Sequence, residues 1–242
     1  MKKLILCATL LVLVPVVVFA QVLADGWQDA SLEALQQAQQ EISNRISQLR
    51  AVSAPSDARV ELSGEGTSIL SGVSVDFSPS RVVIECDGKT SVTFTGGKYD
   101  YTFDASSYSV DFFDETGTFD LLIESVGSWS VTVEPIVDGG ILPMEGKGSF
   151  VSDFFELSAP MIVTVSSDAT GMDALLSNLI VKLCHQYENI ESWQRESLTN
   201  ELLSDGDTFS ADVILKPVDG RTQYCLSVTC EPDVAWSITP KA

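Results

Sequence analysis

A short pattern that occurs twice constrains this chain more than any other feature. Leu62-Ser-Gly64-Glu-Gly66-Thr is answered by Met144-Glu-Gly146-Lys-Gly148-Ser, and Trp129-Ser-Val-Thr with Pro135 is answered by Trp236-Ser-Ile-Thr with Pro240. Each Gly-x-Gly is followed by an apolar run, a Ser/Pro turn and a second apolar run (Arg81 to Glu85; Met161 to Val165). A repeat of this length means two copies of one supersecondary plan. The first copy spans 65 positions from Gly64 to Trp129 and the second 90 from Gly146 to Trp236, so the second carries about 25 extra residues, mainly within 171–207. Both glycines of each Gly-x-Gly suit a backbone that needs positive φ or a close approach at a strand start. Each tryptophan sits in an alternating strand, which predicts a plug at the end of a core; an exposed sugar-stacking ring is the competing reading.

Between these landmarks the apolar period is two. Ser71 to Phe77, Arg81 to Glu85, Ser91 to Thr95, Tyr108 to Phe113, Leu121 to Ser125 and Trp129 to Glu134 read as strands, separated by turn residues. Asp87-Gly88, Gly96-Gly97 and Glu115-Thr116-Gly117 read as hairpin turns. The predicted fold is mainly β: two tandem jelly-roll-like β-sandwiches, residues 58–137 and 138–242. Within the 171–207 insertion, Met172, Leu175, Leu176, Leu179, Ile180, Leu183 and Tyr187 have helical spacing. We expect a short helical turn before a strand there, and a second helical turn near Glu191 to Leu202.

Two N-terminal segments differ from this body. Lys2 and Lys3 precede an uncharged run from Leu4 to Ala20, and both Val18-Phe-Ala20 and Val22-Leu-Ala24 offer small residues for signal cleavage. Residues 1–24 therefore read as a signal peptide, or as an uncleaved membrane anchor, since the run approaches the roughly 20 residues that span a bilayer. Either way the body lies outside the cytoplasm, secreted or tethered. Over residues 25–53, Leu35, Ile42 and Leu49 recur every seven residues with Leu32 and Ile46 between them. That is one amphipathic α-helix, capped by Asp29 or Ser31, acting as a spacer packed on the sandwich or as an oligomerising stalk.

Charge narrows the function. The chain carries 14 basic and 34 acidic side chains, and Lys2 and Lys3 are the only charges before residue 21, which leaves −22 for the rest. Such a surface repels phosphate, so nucleic acid and anionic headgroups are excluded as partners. The 45% hydrophobic content still supports a packed core rather than acidic disorder. A single histidine excludes multi-histidine metal sites. His185 adjoins Cys184, but neighbours in a strand point to opposite faces and cannot form a thiol-imidazole couple. No Gly-x-Ser-x-Gly elbow, His-Glu-x-x-His helix or phosphate-cradling loop occurs. No catalytic residue is assigned, and a carboxylate-pair hydrolase in the insertion is the weaker alternative.

Outside the apolar N-terminus are Cys86, Cys184, Cys225 and Cys230. In an oxidising compartment the expected bridge joins Cys184 to Cys225 or Cys230, with Cys86 distant; buried thiols are the alternative. Cys225 and Cys230 are five apart and so face opposite sides of a continuous strand. Calcium is the one cofactor to weigh, because Asp100, Asp104, Asp111, Asp114, Glu115 and Asp120 are dense between Gly97 and Asp120, although no Asp-x-Asp-x-Asp-Gly loop occurs.

Gly127-Ser-Trp129-Ser-Val-Thr-Val-Glu-Pro135, with the Gly-x-Gly start, resembles bacterial extracellular β-sandwich modules related to the prepeptidase C-terminal domain and the jelly-roll carbohydrate-binding modules. Ser177 to Leu183 resembles the mid-domain strand of such modules. The resemblance implies non-catalytic accessories that bind glycans, proteins or calcium, and it carries no ligand-binding residue set onto this chain. The expected partner is thus an extracellular glycan, an envelope component or a protein. A structural protein that assembles through its N-terminal helix is the alternative.

Overall fold

The computed structural model describes residues 58–186, 193–218, 221 and 223–241. The expected signal or anchor segment and the expected stalk helix lie outside the described residues, as does the 187–192 stretch.

Eight strands precede Ile136: β1 (Val60–Glu65), β2 (Ser68–Val75), β3 (Ser80–Cys86), β4 (Thr90–Thr95), β5 (Tyr101–Ala105), β6 (Tyr108–Phe113), β7 (Gly117–Ser125) and β8 (Ser128–Pro135). They form two four-stranded antiparallel sheets, β1-β8-β3-β6 and β2-β7-β4-β5. This is the jelly-roll order, in which consecutive strands mostly alternate between sheets. Alternation places Val82, Ile84, Val131 and Val133 of one sheet against Val92, Phe94, Phe119, Leu121 and Ile123 of the other, all without solvent exposure. Phe94 and Phe113 sit at its centre, with ring centroids 5.1 Å apart.

After Pro143 come β9 (Met144–Lys147), β10 (Phe150–Val151), β11 (Phe155–Glu156), β12 (Met161–Asp168), β13 (Ser177–Gln186), β14 (Trp193–Leu203), β15 (Thr208–Leu215), β16 (Gln223–Thr229) and β17 (Ala235–Pro240). The sheets are β15-β12-β17-β9 and β10-β16-β13-β14, with β11 also paired to β16. Matching β9, β10, β12, β13, β14, β15, β16 and β17 to the first eight strands reproduces the same order. The counterpart of β2 is broken in two, because Ser152, Asp153 and Phe154 leave the sheet between β10 and β11. Ser152 patches the gap: its amide donates to the Leu226 carbonyl at 2.8 Å, and its hydroxyl accepts from the Leu226 amide at 2.9 Å.

Three expectations change. Among the described residues the insertion holds no helix; β13 and β14 are strands, in register from Ser177–Leu203 to Gln186–Trp193 with one shift after Val181. The 25 extra residues thus lengthen the hairpin that answers β4 and β5. Leu179, Val181 and Leu183 point into the core, whereas Leu175 is 86% exposed, so the apparent helical stripe is a strand's alternation preceded by a turn that buries Met172 and exposes Leu175. The helix-favouring Gln194, Arg195 and Glu196 follow the backbone pairing of β13 rather than their intrinsic preference. Strands β1 and β5 were not expected, because their inward positions include Gly64 and Ala105. Of the three expected hairpin turns only Gly96-Gly97 closes one, between β4 and β5; the other two carry the chain between sheets.

The two repeated motifs meet in space. Gly64 is the register partner of Trp129, and Gly146 that of Trp236. The indole nitrogens donate to the carbonyls of Gly66 at 2.9 Å and Gly148 at 2.8 Å. Both tryptophans are buried in the cores, as the plug reading anticipated. The first glycine of each pair leaves room for the ring, since a Cβ on Gly146 would lie 2.6 Å from Trp236 Cζ2. The second supplies positive φ, 65° at Gly66 and 74° at Gly148.

Candidate functional site

The outer face of β3 and β6 is the first place where the alternating pattern fails. In β6, Val110, Phe112 and Phe113 are all buried, so the strand is covered on both sides. β16 behaves alike, with Tyr224 through Val228 buried. The reason is a junction: Val83, Val110 and Phe112 of the first sandwich pack with Ile136, Val151, Phe154, Trp193, Cys184 and Cys225. The Trp193 ring stacks on Phe154 at 5.5 Å with a 16° tilt and meets Phe112 at 5.6 Å. The Arg195 guanidinium lies 5.8 Å from the Phe112 centroid. Arg81 completes the contact: its guanidinium nitrogens reach Glu134 at 2.6 Å, Asp153 at 2.9 Å and the Val151 carbonyl at 2.9 Å. The break between β10 and β11 is thus what frees Asp153 and Phe154 to reach the first sandwich.

The six acidic residues considered for calcium do not converge. Asp104 and Asp120 point outward from β5 and β7, and Asp120 accepts from the Gly72 amide at 3.1 Å. Asp100 sits in the turn before β5. Glu115 caps the β4–β5 turn, accepting from the amides of Lys98 at 2.9 Å and Tyr99 at 3.2 Å. Asp114 accepts from the Tyr101 hydroxyl at 2.9 Å and the Trp193 amide at 3.4 Å. Burial, then that Asp114 bond, pushes the Tyr101 hydroxyl well above its ordinary value. Asp111 is half-buried on β6 and accepts from Ser109 at 2.6 Å; partial burial pushes its carboxyl up, opposed by that bond and by Lys182. Among the described residues no three His, Cys, Asp or Glu side chains are grouped to hold a metal ion.

His185 and Cys184 leave β13 on opposite faces, as expected. His185 is 3% exposed, its Nδ1 is 3.1 Å from the Gln186 carbonyl, and its ring lies 5.9 Å from Tyr224 in the second core. Cys184 lies in the junction, directly opposite Cys225 on β16. The four cysteines among the described residues are thiols in this structure. Cys230 belongs to the other side, inside the second core, its Sγ 3.9 Å from the Val234 carbonyl. Burial pushes the Cys230 thiol up to about 12. Burial and the adjacent Cys184 raise Cys225 well above its ordinary value. Cys86 is remote, at the end of β3, with Sγ 3.9 Å from the Ala105 carbonyl.

Among the described residues, the outer faces of the two end sheets of the four-sheet stack are exposed. On β2-β7-β4-β5, Ile69 and Leu122 are register partners, continued by Thr93 and Thr102. On β15-β12-β17-β9, Ile214 and Ile162 are partners, with the rows Asp212-Thr164-Thr239 and Ser210-Ser166-Ser237 beside them. These aliphatic pairs are exposed, at 74% and 37% for Ile69 and Leu122 and 48% and 46% for Ile214 and Ile162. Sequence reasoning did not single these residues out, although their position opposite core residues in alternating strands would have marked them.

The class of protein defined by this architecture is a tandem jelly-roll with a buried inter-module junction. No protein-family model matches the chain. No curated protein matches it either. Among solved structures it is similar to the N-terminal CBM22-1-CBM22-2 tandem domain of Paenibacillus barcinonensis Xyn10C, at 6% identity and a TM-score of 0.29, over 78% of this chain and 95% of that one. It is also similar to the stem and receptor-binding domain of the spike protein P1 from bacteriophage PM2, at 9% identity and a TM-score of 0.24, over 78% of this chain and 99% of that one. Neither likeness bears on what this chain binds.

Proposed function

We infer that this chain is an extracytoplasmic, non-catalytic surface protein whose two jelly-roll modules bind a neutral glycan of the envelope through their free sheet faces. One observation carries the reading: the junction covers β3 and β6 of one inner sheet and β13 and β16 of the other, while each outermost sheet offers a hydroxyl-bearing face with an exposed aliphatic pair. Hydroxyl and carboxylate rows exchange hydrogen bonds with sugar hydroxyls, and the aliphatic pair contributes desolvated area. The net charge of −20 disfavours anionic polymers. The supports for a non-catalytic role are the engagement of His185 in the core, of Asp114 by the Tyr101 hydroxyl and of Glu115 by the turn amides. Residues 1–24 export the body or tether it to the membrane, and residues 25–53 space it from the membrane surface.

A glycan array probed with the full chain, beside Leu122→Lys and Ile162→Lys, tests this. The expected result is retention on neutral glycans that falls at least tenfold in one of the variants, with unchanged melting temperature. Retention on envelope proteins alone would replace the glycan by a protein ligand. Retention on neither would remove the binding role in favour of assembly, which light scattering with and without residues 25–52 would then display as a change in size.

A further inference from the structure

We propose that Cys184 and Cys225 form a cross-strand disulfide beneath the inter-module junction, leaving Cys86 and Cys230 as thiols. The two residues are register partners on the antiparallel strands β13 and β16, so their side chains leave the same face of the sheet. The backbone groups of Leu226 are taken by Ser152 on the opposite edge of β16, so those of the adjacent Cys225 point towards β13. The pair is thus of the hydrogen-bonded kind, with Cα atoms about 5.5 Å apart, inside the 4.4–6.8 Å that disulfides span. The other pairings fail on placement. Cys230 lies in the second core on the far side of the sheet from Cys184, and Cys86 belongs to the first sandwich.

Both partners are without solvent exposure, and the raised Cys225 thiol is not a nucleophile in the folded chain. The bond therefore forms during folding, before the first sandwich closes over the pair. The two thiols give up two protons and two electrons and one S–S bond is made; a disulfide oxidant accepts them, its own S–S bond is broken, and two thiols are released. The consequence is structural: β13 and β16, which carry Lys182, Cys225 and Ser227 towards the first sandwich, are stapled into one platform.

The test is a peptide map of the full chain, denatured and reduced, refolded in detergent with glutathione disulfide and glutathione, then alkylated in denaturant. The expected map, on the monodisperse fraction, has the Cys184 peptide linked to Cys225 and alkyl groups on Cys86 and Cys230. Cys230→Ser should keep the link, and Cys225→Ser should lose it. Alkylated Cys184 in the wild-type map, or Cys184 linked to Cys230, would overturn the proposal without recourse to any variant. The map is independent of whether the sheet faces bind a glycan.

Discussion

At the scale of single residues, the informative positions are the ones where chemistry and space are both exhausted. Gly146 has no room for a side chain because the six-membered ring of Trp236 lies over it, and the indole nitrogen is committed to the Gly148 carbonyl. Gly146→Ala should therefore cost about 1–3 kcal/mol through overpacking, read as a lower urea midpoint with an unchanged slope. An unchanged midpoint would mean that the ring moves aside freely. Gly66 would respond for a different reason: nothing crowds its Cβ position, and its positive φ alone penalises a side chain. This division of labour within Gly-x-Gly was half legible, since either glycine could have served either purpose until the partner tryptophan was placed.

At the scale of elements, β6 shows what an edge strand becomes when a second module covers it. Its inner face carries Ser109, Asp111 and Phe113, and its outer face Val110 and Phe112. Asp111 accepts a hydrogen bond from Ser109 on its own strand and feels the charges of Lys182 on β13, Asp104 on β5 and Arg195 on β14. Its carboxyl is raised from the ordinary 3.8, first by burial, so the folded chain holds the proton to a higher pH than the unfolded chain does. The group's contribution to stability is complete below the unfolded pKa and is lost as pH rises through the raised folded value. Asp111→Asn stays neutral throughout, so its stability relative to wild type should grow across that window and then level off. Urea midpoints of both proteins between pH 3.5 and 7 decide it, and a difference independent of pH would show that Asp111 titrates normally. The sequence pattern of β6 already contained the anomaly, apolar residues at both parities, without saying what covered the second face. The helical spacing within 171–207 misleads for a related reason: β14 is an edge strand rich in Glu, Gln and Arg, and only its pairing with β13 makes it extended.

At the scale of the whole molecule, two copies of one plan have diverged where they touch. The second copy has a broken edge strand, and the break supplies Asp153 and Phe154 to the first copy's Arg81, Val110 and Phe112. The first copy keeps β2 continuous, and its counterpart face stays in solvent. Tight docking predicts a single calorimetric unfolding transition. Phe154→Asp, which places an unpaired charge under Trp193, should split that transition into two. If the variant still melts as one unit, Arg81 and the remaining apolar contacts couple the modules without Phe154.

Periodicity and repetition are local properties, and they were sufficient for the mainly β class and for tryptophans inside the cores. They arise because a strand buries every second side chain and because a Gly-x-Gly start tolerates a ring beside it, both readable along the chain. Which strands pair, which sheet of each sandwich faces the other, and which cysteine lies opposite Cys184 are long-range facts. They depend on residues such as Phe112 and Phe154, more than 40 positions apart, whose apolar surface leaves water only when the second module docks onto the first.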